Sequence, residues 1–459
     1  MEYLPMSSPL CLYWVAIFLV VSASAFQSTT TQHHLFSHKS STWRANQAHV
    51  LRSTAQAVIS IDESTVRDVS TFDEWAAACG VQRAAGVQLI TTSEDGRDVC
   101  LMATQDIPAD QPVLLVPGGM ILTGGNARQE FGAVGAAEEL LARLDSTDHL
   151  PQFYLFLKIL VEYENGDQSP WYPWLNALPR YFTNGAHMTH FCCSNVLPPL
   201  VGKLASKERI RFLQFFRALQ YVPFLNENTK KFRMLAKWAF AIVYTRCFET
   251  PDGDARIVPM ADFFDHGTYP EVEISYDEEG NCYAYSTHDI PAGTPLHISY
   301  GDPTNPSYLF ARYGFLDESS PATFCKIMID NPSQELQNLG YDHSRMLFYK
   351  ETGAVSEEVW DVLLYQELES IDPGTQQAFY NAHMNGDAAT KQAIHEQYFP
   401  KTLAALNEHV DSFLRQLDEL SKRAHGRDLK VHPRLPIILQ HNEFVKETFL
   451  KVKANLQQL

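Results

Sequence analysis

Apolar residues recur at helical spacing over residues 150–163, where Phe153, Phe156, Leu157, Leu160 and Val161 fall on one stripe. Residues 206–220 and 228–248 carry the same period and predict two more helices. Between the first and second lies Ser169-Pro170-Trp171-Tyr172-Pro173-Trp174, whose two prolines read as a loop. The period then changes to two. In residues 271–276, Val272, Ile274 and Tyr276 share one face while Glu271, Glu273 and Ser275 share the other. Asp277-Glu278-Glu279-Gly280 follows as a hairpin turn, and Tyr283 and Tyr285 begin the return strand. From about residue 333 the chain is helical again, with amphipathic runs at 359–368, 402–420 and 443–456.

Two segments repeat. Residues 103–117 read ATQDIPADQPVLLVP and residues 286–300 read STHDIPAGTPLHISY. Each holds Asp-Ile-Pro-Ala, a turn in which proline sets φ and the Asp side chain bonds back to backbone. The apolar runs behind them, 113–116 and 296–298, are strand candidates. The outline is a β block, a helical insertion, a second β block and a helical C-terminal part, an α+β arrangement.

Composition narrows the possible functions. The chain has 459 residues, a length typical of two or three domains, with 45% apolar and 20% charged residues. That is an ordinary globular balance, which excludes wholesale disorder and a polytopic membrane protein. The net charge of −18 disfavours binding nucleic acid through a broad basic face. Eight cysteines are scattered without a C-x-x-C pair, so neither a structural zinc site nor a disulfide framework is expected. His187 and His190 could supply two imidazoles to a metal, with Asp262 or Asp265 as carboxylate, but i,i+3 on a loop is not a metal-binding signature, and no metal is expected.

The N-terminus reads as an address. The apolar run 10–21 is too short to span a membrane and precedes Ala23-Ser24-Ala25, a signal-peptidase-like site. Residues 26–61 then hold no Asp or Glu and many Ser, Thr and His, a transit-peptide composition. A signal peptide (1–25) and a transit-like segment (26–66), with Phe26 at the cleavage point, resemble the leaders of algae with complex plastids. The expected destination is the plastid stroma, with secretion as the alternative, and no membrane anchor in the mature form.

Three segments carry candidate chemistry. The stripe Phe232, Leu235, Ala239, Ile242, Val243 leads to Arg246, and a guanidinium on a core-facing stripe needs an anion, from either an internal carboxylate or a ligand. Residues 257–267 set Asp262, Asp265 and His266 among bulky apolar neighbours. Residues 296–302 place Tyr300 on the face of Leu296 and Ile298, where a buried phenol needs a partner. The aromatic run 309–316, containing Tyr313, follows closely.

In this order the segments resemble the SET-domain protein methyltransferases, in particular the branch of the Rubisco large-subunit lysine methyltransferase and the actin-histidine methyltransferase. The resemblance rests on Arg246, on Val-Pro-Met-Ala-Asp-x-x-x-His ending at His266, on Ile-Ser-Tyr-Gly at Tyr300, on Asn305, on Tyr-Gly-Phe at Tyr313, and on the Ser-x-Trp-x-Pro-x-Leu…Leu-Pro run from Ser169 to Pro179. It implies a β-rich SET core in two parts (67–128 and 246–318), split by a helical insertion (129–245), and a helical C-terminal substrate-recognition domain (319–459). It also implies S-adenosyl-L-methionine as donor and a non-histone protein as acceptor, with lysine expected and an abundant plastid protein such as the Rubisco large subunit or an aldolase as partner. By position, Arg246 would bind near the donor carboxylate, and Asp265 and His266 would hold its amino acid part and adenine. Gly86 would mark the donor loop, and Tyr313 would help wall the channel. Asp262 would lie by the substrate, and Tyr300 would be the catalytic phenol. Two positions depart from the pattern: Asp265 stands where the family has Asn, and no Gly-x-Gly surrounds Gly86. The alternative is therefore a catalytically silent peptide-binding module on the same fold.

Overall fold

The computed structural model describes residues 59–93 and 96–459. The leader read at 1–25, nearly all of the transit-like segment, and Glu94 and Asp95 lie outside the described residues.

The alternation at 271–276 becomes the strand Val272–Tyr276, paired antiparallel with Cys282–Ser286, Tyr276 facing Cys282 and Val272 facing Ser286. Cys282–Ser286 pairs in turn with Pro112–Val116, and Pro112–Val116 with Gln82–Arg83. One four-stranded sheet thus draws strands from both sides of the insertion. Val113, Leu114 and Val116 are fully buried in its middle strand.

The two Asp-Ile-Pro-Ala turns meet each other. Ile107 and Ile290 exchange both backbone hydrogen bonds, at 2.9 and 2.8 Å. Asp289 accepts from the Ala109 N–H at 2.8 Å, and Asp106 accepts from the Ala292 N–H at 2.9 Å. The residue after each alanine, Asp110 or Gly293, takes a left-handed φ of 59° or 87°. The repeat is a local two-fold contact that closes the two β blocks on one another.

The insertion contains Leu150–Asn165, Pro199–Ala218 and Arg233–Arg246. Beyond its exposed first turn, Arg233–Arg246 is buried on nearly every side, with Leu235, Ala236 and every residue from Trp238 to Tyr244 inside, which makes most of it an interior helix rather than a surface one. Phe232 does not join its stripe: it precedes the helix and is 44% exposed. The proline-rich stretch read as a loop contains a helix, Tyr172–Ala177. Pro173 sits in its first turn, where a missing N–H costs nothing, and Trp174 and Leu175 are buried.

Past residue 319 come a short ribbon, Ala322–Phe324 with Leu347–Tyr349, and the helices Glu357–Ile371, Pro373–Met384, Ala388–Ala424 and Leu435–Leu456. They enclose a second core around Leu364, Leu406, Phe449 and Val452. The last helix docks on the rest through His441, stacked on Phe310 at 4.4 Å, and Asn442, which donates to the Val196 carbonyl at 2.8 Å.

Candidate active site

Four elements converge. Arg246 ends the interior helix and continues into the strand Cys247–Glu249. Residues 258–264 form a tight turn in which Met260 holds a φ of 81°, a conformation costing about 1–3 kcal/mol in a non-glycine residue. Strained backbone of this kind concentrates at functional sites. Asp265–His266 then pairs in parallel with His297–Ile298, which aligns His266 with the segment leading to Tyr300. The helix Pro306–Tyr313, capped by the Asn305 side chain, brings Tyr308, Arg312 and Tyr313.

Together they wall a cavity of about 400 Å³, lined among others by Arg246, Asp262, Tyr300 and Tyr313. Arg246 donates through one terminal nitrogen to the Asp262 carbonyl at 2.5 Å and to its carboxylate Oδ2 at 3.1 Å. Trp174 Nε1 donates to the same Oδ2 at 3.1 Å. The anion that Arg246 requires is therefore internal. Its Nε stays buried without a partner, as does Asp262 Oδ1. Burial raises the Asp262 pKa, with Arg246 and Trp174 pulling it back. Arg67 shares the Phe263 ring with Arg246, the two guanidinium carbons 5.3 and 5.2 Å from its centroid, with Asp262 and Asp265 close enough to act on Arg67.

Tyr300 donates from its hydroxyl to the Phe264 carbonyl at 2.5 Å and lies in an aromatic cluster, 4.8 Å from Tyr313 and 6.1 Å from Phe315. Burial pushes its phenol far above the ordinary value, so it stays protonated at any physiological pH. Burial likewise lifts Tyr313 to about 12.

His266 is placed differently from expectation. Its side chain is 2% exposed; Nδ1 accepts from the Tyr300 N–H at 3.0 Å and Nε2 lies 3.3 Å from Asp317 Oδ2. The ring braces the Tyr300 backbone and does not line the cavity. Asp265 is open to solvent and also absent from the cavity wall. Crowding by surrounding protein raises its pKa, with His297 and Arg246 opposing. Gly86 stands apart as well, its carbonyl accepting from Thr104 N at 2.6 Å, and a Cβ added there would meet Gln105 Cβ at 3.0 Å.

Cys247, Glu249, Tyr308 and Arg312 line the cavity without having been singled out. Arg312 neighbours Tyr313 in the aromatic run and repeats the signal of a cation among apolar residues. Asp317, which holds His266, carries no local signal at all. His187 and His190 are used locally, on Asn184 Oδ1 at 2.9 Å and Ser194 Oγ at 3.3 Å.

Residues 98–301 match the SET domain family. Among curated proteins, the actin-histidine N-methyltransferase of Dasypus novemcinctus is 23% identical over 262 residues, covering 54% of this chain and 42% of that protein. The Homo sapiens counterpart is 22% identical over the same shares. The match thus spans less than half the length of these relatives. Among solved structures, Rubisco LSMT bound to sinefungin and monomethyllysine superposes with a TM-score of 0.58 at 17% identity, covering 85% of this chain and 92% of the other. Rubisco LSMT bound to AdoMet gives a TM-score of 0.55 at 17% identity, with coverage of 86% and 92%.

Proposed function

Taking as premise that residues 98–301 are a SET domain, we propose that this chain is an S-adenosylmethionine-dependent protein N-methyltransferase acting on lysine of a non-histone plastid protein. The observation that carries the reading is the convergence of Arg246, Asp262, Tyr300 and Tyr313 on one cavity.

The residues fit the donor. The Arg246 guanidinium in the cavity wall suits a carboxylate. The faces of Tyr300 and Tyr313 suit a sulfonium. When bound, S-adenosylmethionine supplies an electrophilic methyl group. The protein's part is to hold the acceptor nitrogen in line with it, an orientation worth ~7–11 kcal/mol in well-fixed systems. Tyr300, kept protonated and anchored on the Phe264 carbonyl, provides a fixed dipole at the junction. The acceptor amine must be neutral, and a desolvated channel beside positive charge favours that form.

The leader supports plastid entry, and the Rubisco large subunit or an aldolase is the acceptor class this reading favours. Histidine is the second reading, favoured by the relatives that bear the name actin-histidine N-methyltransferase.

Calorimetry with S-adenosylmethionine, then radiolabel transfer to plastid extract and mapping of the labelled residue, tests all of this. Label on lysine is expected; label on histidine selects the second reading. Donor binding without transfer would leave the silent module, consistent with Asp265 and the missing Gly-x-Gly. Tyr300→Phe is expected to slow transfer about 10²–10³-fold while donor affinity stays within about threefold. Equal loss of both would remove Tyr300 from the catalytic role.

A further inference from the structure

The insertion inverts the charge of the molecule. The chain carries a net −18, yet residues 199–246 hold ten Lys or Arg against two Glu. Both of those carboxylates are taken, Glu208 by Arg211 at 2.7 Å and Glu227 by Lys230 at 3.0 Å.

Three of the remaining cations gather in one place. On the Pro199–Ala218 helix stands Arg209, and on the Arg233–Arg246 helix stand Arg233 and Lys237. Arg233 and Lys237 share the Phe212 ring, with centroid distances of 5.2 and 5.8 Å, and Arg233 also lies 5.6 Å from the Phe216 ring. Arg209 and Arg434 lie close enough to act on Lys237, and Arg434 is already paired with Glu63 at 2.5 Å. Among the described residues, no carboxylate forms an ion pair with Arg209, Arg233 or Lys237. One terminal nitrogen of Arg209 is buried without a partner. Burial first, and these cations next, push Lys237 down to about 8.

Like charges one turn apart on a helix destabilise it, and a buried guanidinium nitrogen without an acceptor costs more. An anion docked among them would relieve both. The surroundings identify its kind. Ile210, Phe232 and Met234, next in the chain to Arg209 and Arg233, are 53%, 44% and 51% exposed and offer apolar contact to a polypeptide. The rest of the surface is acidic and repels a phosphate backbone at long range.

We infer that the cluster of Arg209, Arg233 and Lys237 around the Phe212 ring binds an acidic segment of the protein acceptor. This rests on the methyltransferase reading and extends it to substrate choice. Along the Arg233–Arg246 helix, the cluster stands about 14–20 Å from Arg246 at ~1.5 Å per residue. The helix between them is interior, so a bound segment must pass around it, and the roughly four to six extended residues that would cover the straight-line distance at ~3.3 Å each are a minimum. The acceptor residue is therefore preceded or followed, at no less than about that spacing, by Asp or Glu.

The test uses the full mature chain and a fluorescein-labelled glutamate-rich peptide, followed by anisotropy at low ionic strength. Binding is expected, with at least about tenfold loss in the double variant R233E/K237E, and loss when glutamine replaces glutamate in the peptide. Reversal of the exposed Lys203 and Lys207 on the same helix, K203E/K207E, should weaken it far less. Equal weakening by both pairs, or indifference to R233E/K237E, overturns the site. Tighter binding of single-stranded DNA of matched length overturns the protein assignment. Donor calorimetry on R233E/K237E should be unchanged, which shows that the variant is folded. Retained peptide binding without methyl transfer to any protein would sink the enzymatic reading and leave the cluster standing.

Discussion

His266 shows how a side chain's role depends on both of its edges. Nδ1 accepts from the Tyr300 N–H and so carries no proton, which puts the proton on Nε2, facing Asp317. The ring therefore sits between a carboxylate, 3.3 Å from Nε2 but not aligned for a hydrogen bond, and the backbone of the proposed catalytic tyrosine. Burial alone would raise the Asp317 pKa, but His266, Ser319 and Thr268 together outweigh it and hold the group down at about 2. Its folded pKa lies below the ordinary value near 3.8, so its stabilisation is complete above about pH 4 and is lost as pH falls through 2. Asp317→Asn is expected to remove about 2–3 kcal/mol at pH 7, read by urea unfolding, and to flatten the loss of stability between pH 4 and 2. An unchanged acid limb would show that Asp317 is not coupled to folding. The sequence marked His266 as a candidate, and the structure sets it against the backbone of Tyr300. Its orientation away from the cavity depends on Asp317, 51 residues on, and no local pattern encodes that distance.

The paired turns were visible as a repeat, and each was read as a turn for a sound reason: proline sets φ and Asp accepts locally. The local bond of each Asp is not what forms. Each one serves the other copy, Asp289 on Ala109 and Asp106 on Ala292. Asp289→Ala should destabilise by about 1 kcal/mol in chemical denaturation, the usual net worth of a solvent-accessible hydrogen bond. Asp106→Ala should match it, because the contact is two-fold. A clearly unequal pair would refute the symmetry. The helix Tyr172–Ala177 was misread because two prolines and two tryptophans have low helical propensity in the interior of a helix. At a helix start proline is favourable, and burial of Trp174 against Asp262 outweighs propensity. Long runs with a clear period, such as Leu150–Asn165 and Val272–Tyr276, needed no such context.

The halves of the molecule join around a buried amine. Lys326 is 5% exposed, at a left-handed φ of 62°, and donates to Ser307 Oγ at 2.8 Å and Thr323 Oγ1 at 3.3 Å, with no carboxylate partner among the described residues. Burial pushes it down to about 7, and it acts in turn on His441 of the last helix. Its folded pKa lies below its unfolded value, so the unfolded state binds more protons between about pH 7 and 10, and stability rises with pH across that window. Lys326→Met should raise stability at pH 6 by about 2–4 kcal/mol and abolish the slope, as measured by unfolding at several pH values. Destabilisation instead would mean that the two hydroxyl bonds outweigh the cost of burying the charge. From the order of residues alone came the period of each long element, the class of fold and the neighbourhood of the site, because periodicity and turn chemistry act over a few residues. Only the folded chain settled that Arg246 closes on Asp262, that His266 braces Tyr300, and that Arg209, Arg233 and Lys237 stand together unpaired. Those outcomes depend on which distant groups share a desolvated space, and desolvation is a property of the packed whole.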